Sequence, residues 1–341
     1  MARMKIEVQA ARATKYGLSL HDRLVGYLPR YARHAARLPW LFNMRDTMPA
    51  AAQLSERLAN FSVRRSLPKW RADVFRDPPG TVTGNQRDVV LFADTFNRYF
   101  ERENIDAALA VLGAGGYQVH MPKPLNGSPR PLCCGRTFLA IGRVDEARKE
   151  AERTLVALAP YVARGLPVIG LEPSCLLSFR DEVPAMVKTE EARRLAAQAL
   201  TFEEFLAREA NAGRLKLPLK KIADRALLHG HCHQKAFDAL SPVEQVLKLV
   251  PELKVETVES SCCGMAGSFG YNSETIDVSL AMGELSLLPA VRNAPADTII
   301  VADGTSCRHQ IHDGSERPAI HVARVLAMSV KAAVPAADTP A

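Results

Sequence analysis

The chain carries the same vicinal thiol pair twice, as Cys133-Cys134-Gly135 and, 129 residues later, as Cys262-Cys263-Gly264. Neighbouring cysteines rarely bond to each other, because a disulfide between them strains the peptide that joins them. After the second pair, glycine recurs at every third position, at Gly264, Gly267 and Gly270. Such a stretch packs poorly but makes a good ligand loop, since glycine allows positive φ and lets backbone N–H groups approach an anion. The chain therefore reads as a duplication organised around two thiol-bearing loops.

A length of 341 residues is comfortable for two domains, and alternating helix-type and strand-type patterns point to the α/β class. No apolar run approaches the length of a bilayer span. The first residues, Met1 to Glu7, are basic but lack the apolar stretch and cleavage site of a secretory signal, so a cytoplasmic location is expected. Seven cysteines is an odd number, and four of them sit in the two vicinal pairs. Both facts argue against a disulfide framework and for reduced thiols acting as ligands or nucleophiles. The net charge of +7 belongs to the N-terminal segment: residues 1–77 hold 15 Lys/Arg against 6 Asp/Glu, the remainder 29 against 31. No basic module interleaved with stacking aromatics accompanies that excess, so nucleic acid is not an expected partner. A basic arm packing on an acidic partner, on membrane headgroups or on its own body is the plainer reading.

Ser19-Leu20-His21-Asp22 resembles a capping box opening a helix to about Tyr27. Pro29, Pro39, Pro49 and Pro68 then break the segment, and both tryptophans, Trp40 and Trp70, lie in it as docking candidates. From residue 88 the pattern becomes strand and helix. Strands are expected at 89–93, 117–121 and 166–170, and again at 226–230, 253–257 and 298–302, with a long amphipathic helix over 144–164. Gly113-Ala114-Gly115-Gly116 ends a helix before a strand, the wrong order for a dinucleotide loop, and reads as a helix C-cap. The expected organisation is a helical basic arm and linker over 1–80 and a first repeat over 85–180. A helical connector over 181–222, a second repeat over 223–332 and a disordered tail over 333–341 complete it.

Aligned by strands, the repeats match station for station. Cys232 precedes Cys263 by 31 residues and Cys307 follows it by 44; in the first repeat Thr95 precedes Cys134 by 39 and Cys175 follows by 41. Every cysteine falls just past the C-terminal end of an expected strand. In a parallel open sheet those ends line one crevice, where ligands bind. Several thiolates converging there repel one another unless a cation neutralises them, and a soft metal centre resolves the conflict. Sulfur ligation suits an iron–sulfur cluster or structural zinc, and ligands drawn from widely separated loops suit the larger cluster better.

A strand-end cysteine, a Cys-Cys-Gly and a later strand-end cysteine, repeated in tandem, resemble the cysteine-rich (CCG) domain. That domain occurs in iron–sulfur subunits of glycolate and lactate oxidases and in heterodisulfide reductase. The stretches Leu91 to Asn97, His231 to Gln234, Ser261 to Gly270 and Gly304 to Gln310 look like the C-terminal part of fused FAD-linked oxidase/iron–sulfur oxidoreductases. The resemblance implies two pseudo-repeated parallel-sheet CCG domains behind a helical N-terminal arm. It also implies a 4Fe-4S cluster held by Cys232, Cys262, Cys263 and Cys307, with Cys133, Cys134 and Cys175 as a degenerate or shared set. The amides of Gly264, Gly267 and Gly270 would stabilise the cluster's charge. On this reading the chain is a non-catalytic electron-transfer part of a 2-hydroxyacid dehydrogenase of the glycolate or lactate type. FAD would sit on a partner chain or fused domain, and a quinone would accept the electrons, at the inner membrane face in the peripheral variant. The chain departs from the family where Cys-x2-Cys is expected at the last station: Glu172 and Gly304 hold the first place of that pair. Thr95 likewise stands where a first-station cysteine is expected.

Two other readings fit the residues. One is a zinc-stabilised or metal-free interaction module with no redox role. The other is a thiol enzyme using Cys232 between His231 and His233. His309 and His312 read as supporting or surface residues, and Arg136 and Arg308 as either carboxylate-binding or structural.

Overall fold

The computed structural model describes residues 2–78, 87–125 and 127–331. The tail expected to be disordered, and the Pro79-Gly80 end of the linker, lie outside the described residues.

Val89, Val90, Leu91 and Phe92 are all buried, and a strand apolar on both faces needs helices above and below it. Two sheets satisfy that demand. The first holds β1 (Arg87–Phe92), β2 (Tyr117–His120), β3 (Val168–Gly170) and β4 (Ala199–Thr201) in the order β2-β1-β3-β4. The second holds β5 (Arg225–His229), β6 (Lys254–Thr257), β7 (Ile299–Ala302) and β8 (Ala319–Ile320) in the order β6-β5-β7-β8. Every pairing within both sheets is parallel. The two topologies are identical, so the duplication seen in the cysteines is a duplication of fold. Each sheet reverses its winding direction beside its first strand, which puts a switch-point crevice at the C-terminal ends of β1 and β3, and of β5 and β7.

Six strands stand within two residues of their expected positions. The stretch read as a helical connector needs correction: it also supplies β4 and so completes the first sheet. Helix Phe202–Asn211, which follows β4, packs on helix Ser241–Leu247 of the second half. Reciprocally, helix Val322–Ser329, which follows β8, packs on helix Arg102–Ala114 of the first. Ile105, Leu112, Phe205, Val246, Leu247, Val325 and Leu326 meet there in one apolar cluster, so the halves share a core.

The N-terminal segment forms helices Ala2–Tyr16, Leu20–Gly26, Leu28–Ala35, Pro39–Thr47 and Pro49–Ala59, the second opened by a Ser19–Asp22 capping box. Pro29, Pro39 and Pro49 sit in first turns, where the missing N–H costs nothing. They start helices rather than merely interrupting them. The segment is no loose appendage. Arg30 pairs with Glu146 of the first half, Phe61 bridges to Asn272 of the second, and Ser66 Oγ donates to Asp313 Oδ1 at 2.9 Å. Trp70 packs on Phe100 with ring centroids 4.8 Å apart, whereas Trp40 stays 64% exposed. Among the described residues no helix is long and apolar enough to cross a membrane.

A buried ion pair ties the halves beside the crevices. Arg308 Nε donates to Glu101 Oε1 at 2.7 Å, and Arg308 Nη1 donates to the carbonyls of Ala302 and Asp303 at 2.8 and 2.7 Å. Burial pushes the Glu101 carboxyl upward, but Arg308 wins and holds it down to about 2. Its contribution to stability is thus complete above the ordinary value of 4.5 and is lost as pH falls toward 2. Arg308 is 4% exposed, so Glu101→Ala strands a buried guanidinium and should cost roughly 3 kcal/mol at neutral pH. Urea melts of both proteins at pH 7 and pH 3 check this: the gap between them should narrow in acid.

Candidate metal centre

In both halves the Cys-Cys-Gly turn has the same construction. Gly264 takes φ +93° and its N–H points at Cys262 Sγ, 3.4 Å away; Gly135 takes φ +83° with its N–H 3.4 Å from Cys133 Sγ. A Cβ at Gly264 would overlap Ser279 O, and one at Gly135 would lie 2.8 Å from Ala147 O. The glycine is required twice over, by its backbone angle and by the helix carbonyl pressed against it. The other two glycines of the loop differ. Gly267 (φ +69°) opens a short 3-10 turn with nothing near its Cα. Gly270 donates its N–H to Met265 O at 2.8 Å and leaves no room for a side chain beside Met265 and Ser279.

The first station follows the same symmetry. Thr95 and Cys232 each open a short helix three residues after the end of β1 and β5, capped by Asp94 and His231 respectively. The His231 turn is braced from behind: its N–H donates to Gln234 Oε1 at 3.0 Å, and Gln234 Nε2 donates to Asp303 Oδ2 at 2.8 Å. At the last station Cys175 and Cys307 lie in helices Pro173–Leu176 and Thr305–Ser315. Glu172 Oε2 accepts from Thr305 N at 2.8 Å, so the two last stations face each other across the seam.

The structure brings the second-half thiols together. Cys263 and Cys307 Sγ are 3.4 Å apart, and Cys232 and Cys262 hydrogen-bond to one another. Their protons divide unequally. The Cys262 thiol is driven down by the bonds from Cys232 and Cys263, and Cys307 is driven down by Cys263, with His231 and His229 adding to the effect. Cys232 and Cys263 are pushed up as the donors. Cys263 and Cys307 are buried while Cys232 and Cys262 are half-exposed, so the group has an inner side and an outer edge. The first-half thiols Cys133, Cys134 and Cys175 are all buried. Cys133 is raised by its bond with Cys134 and by burial; Cys134, though lowered by Cys133, is raised by Cys175 and burial. Cys175 is pulled down by Cys134, but burial together with the negative fields of Asp94, Glu172 and Cys133 pushes it up to about 12. Burial and Glu172 likewise lift Asp94, beside that set, to about 6.

Cations surround the second group. Lys235 donates to the carbonyl of Ser260 and lies in the field of all four thiols, with burial lowering its pKa. Arg65, from the N-terminal segment, is fully buried beside Cys263; its Nε donates to Gly270 O at 3.2 Å while Nη1 and Nη2 have no hydrogen-bond partner. His229 Nε2 and His233 Nδ1 are also buried without partners. Four converging sulfurs bordered by buried nitrogens without hydrogen-bond partners and by buried positive charge, Arg65 also pairing with Asp313 at 3.7 Å, fit a thiolate-held anionic centre, because an unpaired buried polar group is costly. Three thiols that keep their protons, with Glu172 and Thr95 at the other stations, form a poorer set in the first half.

Of the remaining candidates, Arg136 lies in the field of Cys134, Cys175 and Cys232. Arg308 is spent on Glu101, and Arg136 pairs with Glu182 while its Nη2 lies 3.2 Å from His233 Nε2. His309 Nδ1 is 3.2 Å from the Tyr271 hydroxyl, and His312 is exposed beside Asp313. Sequence reasoning missed Arg65, Lys235 and His229. Only His229 left a local signal, a histidine closing an otherwise apolar buried strand.

Comparison with known proteins agrees with this geometry. Residues 226–312, which hold all four second-half cysteines, match the family model of the cysteine-rich domain (CCG). Over 295 residues the chain is 26% identical to a subunit of the anaerobic glycerol-3-phosphate dehydrogenase of Escherichia coli (strain K12), covering 85% of this chain and 72% of that one. Over 314 residues it is 26% identical to D-2-hydroxyglutarate dehydrogenase of the same organism, covering 87% of this chain but 29% of that enzyme. An iron-sulfur protein of Methanocaldococcus jannaschii is 26% identical over 221 residues, 64% of this chain and 40% of that protein.

The two glycines should respond differently to alanine. Gly264→Ala combines left-handed strain with overlap on Ser279 O and should cost about 3 kcal/mol or more, with loss of bound metal. Gly267→Ala meets only the strain and should cost about 1 kcal/mol. Thermal melts and metal analysis of both variants check the contrast.

Proposed function

We propose that this chain is the iron–sulfur electron-transfer part of a flavin-dependent dehydrogenase, with its centre held by Cys232, Cys262, Cys263 and Cys307. The observation that carries this reading is the convergence of those four thiols at the β5/β7 switch point, inside the segment that matches the cysteine-rich domain. A bound 4Fe-4S cluster would accept and release electrons one at a time. The chain's own residues supply the rest. Cys262 and Cys307, already driven toward thiolate, need the least deprotonation to bind metal. The Gly264 amide, Lys235 and the buried Arg65 offset the negative charge of a thiolate-ligated centre, which raises its potential. The half-exposed Cys232/Cys262 edge is the side from which electrons would enter or leave.

The relatives named above include part of a glycerol-3-phosphate dehydrogenase and a D-2-hydroxyglutarate dehydrogenase. Oxidising a glycerol phosphate or a 2-hydroxy acid removes a pair of electrons from a hydroxyl-bearing carbon. A flavin on a partner chain or fused domain would take that pair and pass it on singly, with a quinone as final acceptor. Exposed Trp40, Leu41, Leu54 and Leu58 on the basic N-terminal segment offer a surface for that partner or for the face of a membrane. For the first half, with three buried and protonated thiols, a zinc-bound or metal-free scaffold is the second reading.

Anaerobic purification with iron, sulfide and zinc analysis tests the proposal. Several iron and sulfide per chain are expected, with colour bleached by dithionite. Cys262→Ser should remove most of that iron, and Cys133→Ser should leave most of it. A colourless wild-type protein with stoichiometric zinc would sink the redox role.

A further inference from the structure

The four cysteines do not exhaust the donors on the inner side of this centre. His229 is the last residue of β5 and is 1% exposed. Its Nδ1 lies 3.0 Å from Ser260 Oγ, while its Nε2 is buried with no hydrogen-bond partner. That nitrogen and the sulfurs of Cys263 and Cys307 all lie within 4.8 Å of one another. The other side of the ring fixes its orientation. Ser260 Oγ, which accepts from Lys235 Nζ at 3.3 Å, has a second lone pair that can take the Nδ1 proton. With the proton on Nδ1, Nε2 presents its lone pair to the two sulfurs. An imidazole held through one nitrogen by an oxygen acceptor, with the other nitrogen aimed at thiolates, is the arrangement of a metal-bound histidine.

Gly304 strengthens the case. Its Cα lies against the His231 ring, which a Cβ would overlap, and such a Cβ would sit 3.3 Å from Cys307 Sγ. The backbone at this station therefore supplies no side chain beside Cys307. On that side His229 Nε2 lies within 4.8 Å of both sulfurs and has no hydrogen-bond partner.

We infer that His229 is a metal ligand beside the four cysteines, its Nε2 joining Cys263 and Cys307 on the buried side of the second-half centre, so that one metal atom there takes two protein ligands. The inference rests on the iron–sulfur reading above. A neutral imidazole adds no negative charge where a cysteine at the same position would add a further thiolate, so it leaves the centre's potential higher than that cysteine would.

The test uses the whole chain, purified anaerobically from cells fed 15N-histidine, with pulsed electron paramagnetic resonance of the centre in its paramagnetic state. A strong histidine nitrogen coupling is expected that changes from 14N to 15N on labelling. It should vanish in His229→Cys, a variant that keeps a ligand and should keep its iron, and the midpoint potential should fall. His229→Ala should lose at least half of its iron. An iron-loaded wild type without strong nitrogen coupling would overturn the assignment and leave the electron-transfer reading standing. So would a coupling that survives in His229→Cys, since another histidine would then be the ligand. A wild type without iron or sulfide would overturn both.

Discussion

Four thiols gathered past the ends of three neighbouring parallel strands, in two pairs, are an unstable arrangement on their own, and the second half is built around that tension. Thiolates packed together repel, and thiols packed together forgo better hydrogen-bond partners. The compromise is uneven: the bonds among them drive Cys262 and Cys307 down and push Cys232 and Cys263 up. Lys235, Arg65 and the Gly264 amide supply compensating positive charge from three directions. Arg65 also pairs with Asp313 at 3.7 Å and Lys235 also holds the Ser260 carbonyl, so the same groups brace the loop and offset charge at the sulfurs. A metal carrying its own positive charge into the sulfur set resolves both the repulsion and the unpaired donors.

The duplication explains how this site came to stand beside a quieter copy. Both halves wind in the same order, and both turn their Cys-Cys-Gly through a left-handed glycine pressed on a helix carbonyl. The copies differ in what surrounds the sulfurs. In the second half, charged groups and an open edge adjoin them. In the first, the bonds among Cys133, Cys134 and Cys175, their burial and the nearby Asp94 raise the thiols despite the Arg136 cation, and Glu172 holds Thr305 across the seam. The first half thus positions the second. Its helix after β4 and the last helix of the chain exchange packing partners, and Glu101 fixes Arg308 one residue from Cys307.

Much of this was legible in the sequence, for a physical reason. Strands buried on both faces must be continuous apolar runs, so β1 and β5 announced themselves, and cysteines just beyond them had to meet in a parallel sheet. The two short closing strands carried no such signal. Residues 199–201 and 319–320 pair through backbone alone and depend on neighbours already in place. Arg65 was illegible because an arginine in a basic, proline-punctuated segment looks solvent-exposed until the segment is seen folded against the second half. His229 was hidden in another way, because in a strand a histidine reads as one more buried residue. Its partners, Ser260 on one side and two sulfurs on the other, come from loops more than 30 residues away.

The central claim is that the second-half sulfurs hold iron that changes oxidation state. The most direct measurement is the Mössbauer spectrum of the chain produced with 57Fe and isolated without oxygen, recorded before and after dithionite. The account predicts tetrahedral, sulfur-ligated iron whose isomer shift moves on reduction, with the whole iron population behaving as one coupled centre. A spectrum with no iron beyond trace, or with isolated ferrous ions unchanged by reductant, would contradict it.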